Sequence, residues 1–167
     1  MVPGVVRQFI LRIGAWAYEL SIAEWIRGSE WGVPILSVTH VFGLILLLGS
    51  VFMIALRCFG LALRRDSVSA VVRALSPATL GGLFLMTASG SLIFASGAGR
   101  YADSHPFQLK MMAYSTAVVT QGTLYVMALR DDGENRLLSP KWMAMGGLAF
   151  LLWLTVGILG RFIAFFE

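Results

Sequence analysis

Three ionisable side chains, His40, Lys110 and Arg161, sit inside long apolar runs of this sequence. An ionisable group at mid-span costs about 2.5–3.5 kcal/mol on insertion scales, so each is a candidate for function. His40 lies six residues past Pro34, ~9 Å along a helix. Lys110 lies four residues past Pro106, ~6 Å along, and Arg161 five residues before Phe166, ~8 Å. If successive runs alternate in direction, these three groups share one depth beneath the same face. Arg100, Tyr101, Asp103 and His105, in a short connection, then lie directly above them. A neutral imidazole is an axial ligand for haem iron, and cations at that depth pair with anionic propionates through charge-assisted hydrogen bonds. The pattern therefore predicts a b-type haem held by His40, Arg100, Lys110 and Arg161. His105, the other histidine, is the remaining candidate for a metal ligand beside His40.

Plainer readings exist for each residue. His40 also fits a structural histidine bonded across helices. Lys110 and Arg161 taken singly fit side chains that snorkel to the headgroups. His105 precedes Pro106 and reads, by itself, as a solvated loop residue. The haem reading therefore rests on the coincidence of depth. Other chemistries have thinner support. A copper or zinc site needs more ligands than two histidines and the single cysteine, Cys58, supply. Cys58 reads as a small apolar residue near a helix end, and Met53, Met86, Met111 and Met112 as ordinary packing. Gly97 and Gly99 make a turn without a following dinucleotide-binding pattern. No acidic residue lies inside a span, which argues against a proton or ion pump.

The elements that must position these groups are four apolar runs. They extend over about 34–57, 77–96, 106–129 and 142–166. Each is long enough, at ~1.5 Å per residue, to cross a ~30 Å hydrocarbon core. No water in that core satisfies free backbone groups, so helices are expected. Pro34 and Pro106 suit helix starts, and Ser76 before Pro77 is the expected N-cap of the second run. Upstream, Phe9, Ile13, Trp16 and Leu20 recur at helical spacing, while Arg12 and Glu19 lie off that stripe. This predicts one amphipathic helix over 5–27, lying on the membrane surface or packed on a partner subunit. The sequence thus reads as a single all-α membrane domain over 1–167, a four-helix bundle with an N-terminal interfacial helix.

Composition agrees. Only 13% of the 167 residues are charged and 57% are hydrophobic, with a mean hydropathy of +0.78, too few charges to cover a water-exposed surface. The net charge of +4 comes from basic residues at the ends of runs, which excludes a nucleic-acid footprint. Arg57, Arg64, Arg65 and Arg73 flank the first connection, and Arg130, Arg136 and Lys141 the third. The other side holds Arg27, Arg100, Lys110 and Arg161. This excess places the first and third connections in the cytoplasm and both termini on the periplasmic side. On this scheme Arg57 closes the first span as a lipid-headgroup anchor.

Several separated motifs resemble a family of small bacterial inner-membrane proteins known only as a domain of unknown function. They are the segment from Trp25 to Trp31, Pro34, His40-Val-Phe-Gly43, Leu56 to Gly60, Arg100-Tyr101, His105 to Lys110, Leu152-Trp-Leu154 and Gly160 to Phe165. The match spans nearly the whole chain. Its layout is similar to HemJ-type protoporphyrinogen oxidases and to the membrane domain of copper-resistance proteins. The HemJ-type proteins bind haem and pair a first-span histidine with a lysine preceded by leucine, as His40 and Leu109-Lys110 do here. The chain departs from the family pattern at His105, where Asn is usual, and at Thr120 and Gln121, which stand in for an Asn. The family itself has no settled activity; the polar cluster and the HemJ-type layout together lead to the expectation of a membrane-embedded haem b protein that moves electrons at the periplasmic face, to or from a periplasmic redox partner. A non-catalytic accessory or anchor subunit of a larger membrane complex, or a copper-handling protein, are the alternatives.

Overall fold

A computed structural model of the chain describes residues 4–98, 101, 104–131 and 139–166. Among them every regular element is a helix: α1 (Gly4–Tyr18), α2 (Ser21–Gly28), α3 (Gly32–Cys58), α4 (Val68–Ser96), α5 (His105–Arg130) and α6 (Pro140–Phe166). The four long helices pack in ring order, α3 on α4, α4 on α5, α5 on α6 and α6 back on α3. Neighbours are antiparallel, since partner numbers rise on one helix as they fall on the other. His40 meets Ser89 and Ser50 meets Thr79 across α3 and α4. Phe107 meets Phe94 and Ala128 meets Arg73 across α4 and α5.

Three of these helices are long and apolar enough to cross a membrane: Gly32–Cys58, Val68–Ser96 and the stretch Pro140–Ile163 of α6. The fourth, α5, is as long but less apolar, because Ser115, Thr116, Thr120, Gln121 and Thr123 interrupt it. Each of its serine and threonine hydroxyls at 115, 116, 120 and 123 donates to the carbonyl one turn back, at 2.8–2.9 Å. The helix thus satisfies these four hydroxyls from its own backbone.

Small residues set the closest approach in the ring. A Cβ at Gly43 would lie 2.7 Å from the Met86 nitrogen, and one at Gly82 2.6 Å from the Leu47 nitrogen. Only glycine at both positions lets the α3 and α4 backbones touch. Two apolar clusters fill the interior. Leu47, Val51, Met86, Ala117, Ala149, Trp153 and Val156 form one. Ile54, Cys58, Val68, Val71, Val72, Leu124, Ala128 and Trp142 form the other, towards the first and third connections. Cys58 is fully buried there, as a small apolar residue would be.

The second cluster explains one departure from the sequence reading. α4 begins at Val68, not at Pro77, because Val68, Val71 and Val72 have a core to enter. Its N-cap is Ser67, whose hydroxyl accepts from the Ala70 nitrogen. Ser76 lies inside the helix and donates to the Val72 carbonyl.

A second departure concerns Arg57. Its side chain is 1% exposed and donates from Nε to the Asp66 carbonyl at 2.6 Å, so it anchors the α3–α4 connection and not a headgroup. The connection folds back after Gly60, whose left-handed φ of 68° closes the helix end. That reversal brings the Asp66 carbonyl over Arg57.

The third departure is at the N-terminus, where two helices replace one. Leu20 is extended between them, and Arg27 holds the corner. Its guanidinium lies 3.7 Å over the Tyr18 ring and donates to the Tyr18 carbonyl at 2.9 Å, a cation at the carbonyl end of α1. The break lets α2 bury Ala23 and Ile26 against α3 and α4. α1 docks through Gly14 and Ala17, the glycine facing Ala98 and Phe94. Ile13 and Trp16 of the apolar stripe point away from the bundle, with Trp25 and Trp31.

Candidate functional site

His40 is on α3, and the local sequence of α4 fixes its ring. Gly90 faces the imidazole so closely that a Cβ there would lie 2.9 Å from Cε1. One residue earlier, Ser89 Oγ lies 3.2 Å from His40 Nδ1. Ser89 is buried, and its hydroxyl donates to the Leu85 carbonyl at 2.5 Å. A hydroxyl has one hydrogen. If that hydrogen goes to Leu85, the serine oxygen accepts from the histidine and the imidazole proton sits on Nδ1. The Nε2 atom then carries a bare lone pair, the state in which a histidine ligates a metal or accepts a hydrogen bond.

Lys110 reaches the same place from α5. His40 and Lys110 line one cavity of about 230 Å³ together with Ser37, Gly90, Ile93, Phe94, Tyr101, Phe107, Gly160 and Ile163. Gly160 on α6 gives the ammonium its room, since a Cβ there would lie 3.4 Å from Nζ. Three rings form one wall. Phe94 stacks on Phe107 at 5.2 Å and 9°, and Tyr101 leans on both at 6.5 and 5.9 Å. No carboxylate is among the described lining residues. A half-buried cation facing an apolar, aromatic space, with no counter-charge among the described lining residues, favours an anion or a strong hydrogen-bond acceptor there.

The remaining sequence candidates are placed differently. Arg161 is exposed, and its neighbour Gly160 is the residue that lines the cavity. His105 opens α5, is exposed and does not line it. Arg100 and Asp103 lie outside the described residues. Among the described residues no three His, Cys, Asp or Glu side chains come together to hold a metal ion. Thr120 and Gln121 are both 8% exposed, deep in the bundle, and Gln121 Oε1 has no hydrogen-bond partner. Residues that the sequence reading left unassigned are Ser37, Ser89, Phe94, Phe107 and Gly160. Ser89 and Gly90 share a helix with many small residues, and nothing local marks them as the pair facing His40.

A wider groove adjoins this cavity. About 820 Å³ of space lies beneath the N-terminal helices, lined by Gly14, Ala15, Tyr18, Glu19, Arg27, Val33, Ser96, Gly97, Ala98 and Tyr101. Tyr101 is the residue common to the two linings. Comparison with protein-family models, with curated proteins and with solved structures finds no match to this chain.

Proposed function

We propose that this chain is a multi-pass protein of the bacterial inner membrane that holds a planar, anionic redox group, b-type haem, at the periplasmic end of four spanning helices. The observation that carries the reading is the convergence of His40 from α3 and Lys110 from α5 on one aromatic cavity whose described lining holds no carboxylate. The donors suit the group in kind. His40 Nε2 offers a lone pair, with Ser89 fixing the tautomer from behind, and Lys110 offers a cation to a propionate. Bound haem supplies one-electron transfer, and its protein ligands and surroundings tune it. A volume of about 230 Å³ falls below the ~300–1,000 Å³ of sites that enclose drug-sized ligands, so a ring whose iron was held by His40 would extend well beyond this cavity.

Two further features support the membrane placement. α5 joins the three more apolar helices as a span because its hydroxyls are bonded to its own backbone. Trp16, Trp25 and Trp31 are 65–70% exposed on and beside the N-terminal helices, as an interfacial aromatic belt would be. The excess of basic residues in the first and third connections sets the orientation, and the resemblance to haem-binding four-helix proteins agrees in the type and order of His40 and Lys110.

The test is an absorption spectrum, oxidised and dithionite-reduced, of detergent-purified protein beside its His40→Ala and Lys110→Met variants. A Soret band that shifts on reduction, disappears in His40→Ala and washes out at least tenfold faster in Lys110→Met is the expected result. A flat spectrum from haem-replete cells overturns the haem reading. The accessory-subunit reading, in which the same cations hold the bundle or a lipid headgroup, would then stand in its place.

A further inference from the structure

We propose that the connection between α3 and α4, residues 59–67, is a rigid interfacial loop that seats the headgroup of an anionic phospholipid on Arg64 and Arg65. The inference rests on the membrane placement proposed above and on nothing about haem. It gives a ligand to the end of the bundle opposite the His40 cavity, in the cytoplasmic leaflet on the proposed orientation.

The loop holds itself in one shape. The Leu61 and Ala62 nitrogens both donate to the Leu56 carbonyl, at 2.8 and 3.3 Å, and the Asp66 nitrogen donates to the Leu63 carbonyl at 3.1 Å. Arg57 donates to the Asp66 carbonyl, and Arg64 Nε donates back to the Gly60 carbonyl. The Phe59 ring packs on Gly147 of α6, where a Cβ would lie 3.0 Å from Cζ, so the base of the loop is pinned to the bundle. Gly60 and Leu63 both take a left-handed φ, 68° and 51°. That φ is uncommon for leucine, and here it belongs to a fixed turn, not a slack linker.

Two kinds of side chain stand outward from this turn. Phe59, Leu61 and Leu63 are 40–67% exposed, although none of them belongs to a helix. Arg64 and Arg65 follow directly, both exposed. Spending Nε on Gly60 orients the Arg64 guanidinium and leaves its two terminal amino groups for a phosphate. Neither arginine pairs with a carboxylate, not even that of Asp66 beside them. With Arg57 included, the segment keeps a net positive charge despite Asp66. The interleaving decides the class of partner. A free phosphate or a phosphorylated peptide would use the arginines and leave Leu61 and Leu63 in water. A phospholipid uses both, since the boundary between headgroups and acyl chains takes apolar side chains flanked by cations.

A reporter on the loop tests this. In a Cys58→Ala background, Leu61→Cys carries a nitrobenzoxadiazole label, and the protein is reconstituted in vesicles of phosphatidylcholine and phosphatidylglycerol. Quenching by spin-labelled phosphatidylglycerol is compared with quenching by spin-labelled phosphatidylcholine at equal mole fraction. An arginine near an anionic surface favours it by roughly fivefold, so an enrichment of the anionic lipid of at least threefold is expected beside the label. Arg64→Gln with Arg65→Gln is expected to bring the two lipids close to level. Arg64→Lys with Arg65→Lys, which keeps the charge and loses the fork, is expected to fall between. A label at Ile45→Cys, exposed near the middle of α3, separates this proposal from the membrane placement. If lipid quenches the Ile45 label while the Leu61 label shows no preference between the two lipids, the headgroup site is overturned and the membrane placement stands. If lipid quenches neither label, the membrane placement falls and takes the proposal with it.

Discussion

Replacing Gly82 with alanine tests how the helix contact sets the His40 site. A Cβ at that position would lie 2.6 Å from the Leu47 nitrogen and 2.8 Å from the Gly43 oxygen, and both atoms are backbone. Non-bonded carbon prefers neighbours at ~3.5 Å or more, so the shortfall is about 0.9 Å. Backbone cannot swing away as a side-chain tip can, and α3 and α4 must part locally. The same interface carries the His40 Nδ1 to Ser89 Oγ hydrogen bond, at 3.2 Å. An added separation of only ~0.5 Å takes it to about 3.7 Å, beyond hydrogen-bond range. Overpacking at ~1–3 kcal/mol and a buried polar group left without its His40–Ser89 partner at ~1–3 kcal/mol together give an expected loss of about 2–6 kcal/mol. The assay is unfolding in detergent, with ¹⁵N NMR of labelled histidine to read the tautomer. Gly49→Ala, on the facing helix α3, is the control, because a Cβ there meets nothing within 4 Å. It should be neutral, or stabilising by up to ~1 kcal/mol, since alanine favours helix. Equal stability in the two variants, with the Nδ1–H tautomer unchanged in Gly82→Ala, would refute the argument.

Three further substitutions test the other end of the bundle. Arg57→Met removes a fully buried guanidinium and leaves the Asp66 carbonyl without its donor, with an expected loss of about 1–3 kcal/mol in detergent unfolding. A headgroup anchor would instead show no change in detergent and weaker insertion in bilayers. Ser67→Ala deletes the N-cap of α4 and should cost ~1 kcal/mol, whereas Ser76→Ala, inside the helix, should fall within ~0.5 kcal/mol of the parent.

The sequence alone determined the all-helical character and the long apolar elements, and it singled out His40 and Lys110 as candidates. Apolar runs of this length leave the backbone few ways to satisfy itself other than as helix. A histidine and a lysine inside such runs are costly enough to announce themselves without an alignment. Local chemistry was less decisive at the ends. Pro77 looked like a helix start because its missing N–H suits one, yet the valines at 68, 71 and 72 gained a core only when α5 and α6 stood beside them. Arg57 looked like an anchor because charge at a span end usually meets headgroups, and its burial depends on a connection that folds back over it. The break at Leu20 arises because Arg27 turns back onto Tyr18 and α2 finds α3 and α4 to pack against.

At the site itself, depth was readable from residue counts and azimuth was not. A helix places a residue at a known height by its rise, but which way it faces depends on how the ring of four helices closes. That closure brought Lys110 into the cavity beside His40 and left Arg161, expected at a similar depth, exposed on the outside with only its neighbour Gly160 facing inwards. It also chose Ser89 as the group behind the imidazole, within hydrogen-bond distance of Nδ1. Tertiary packing made that choice, because the two residues are far apart in the chain and meet only where the glycines let α3 and α4 touch.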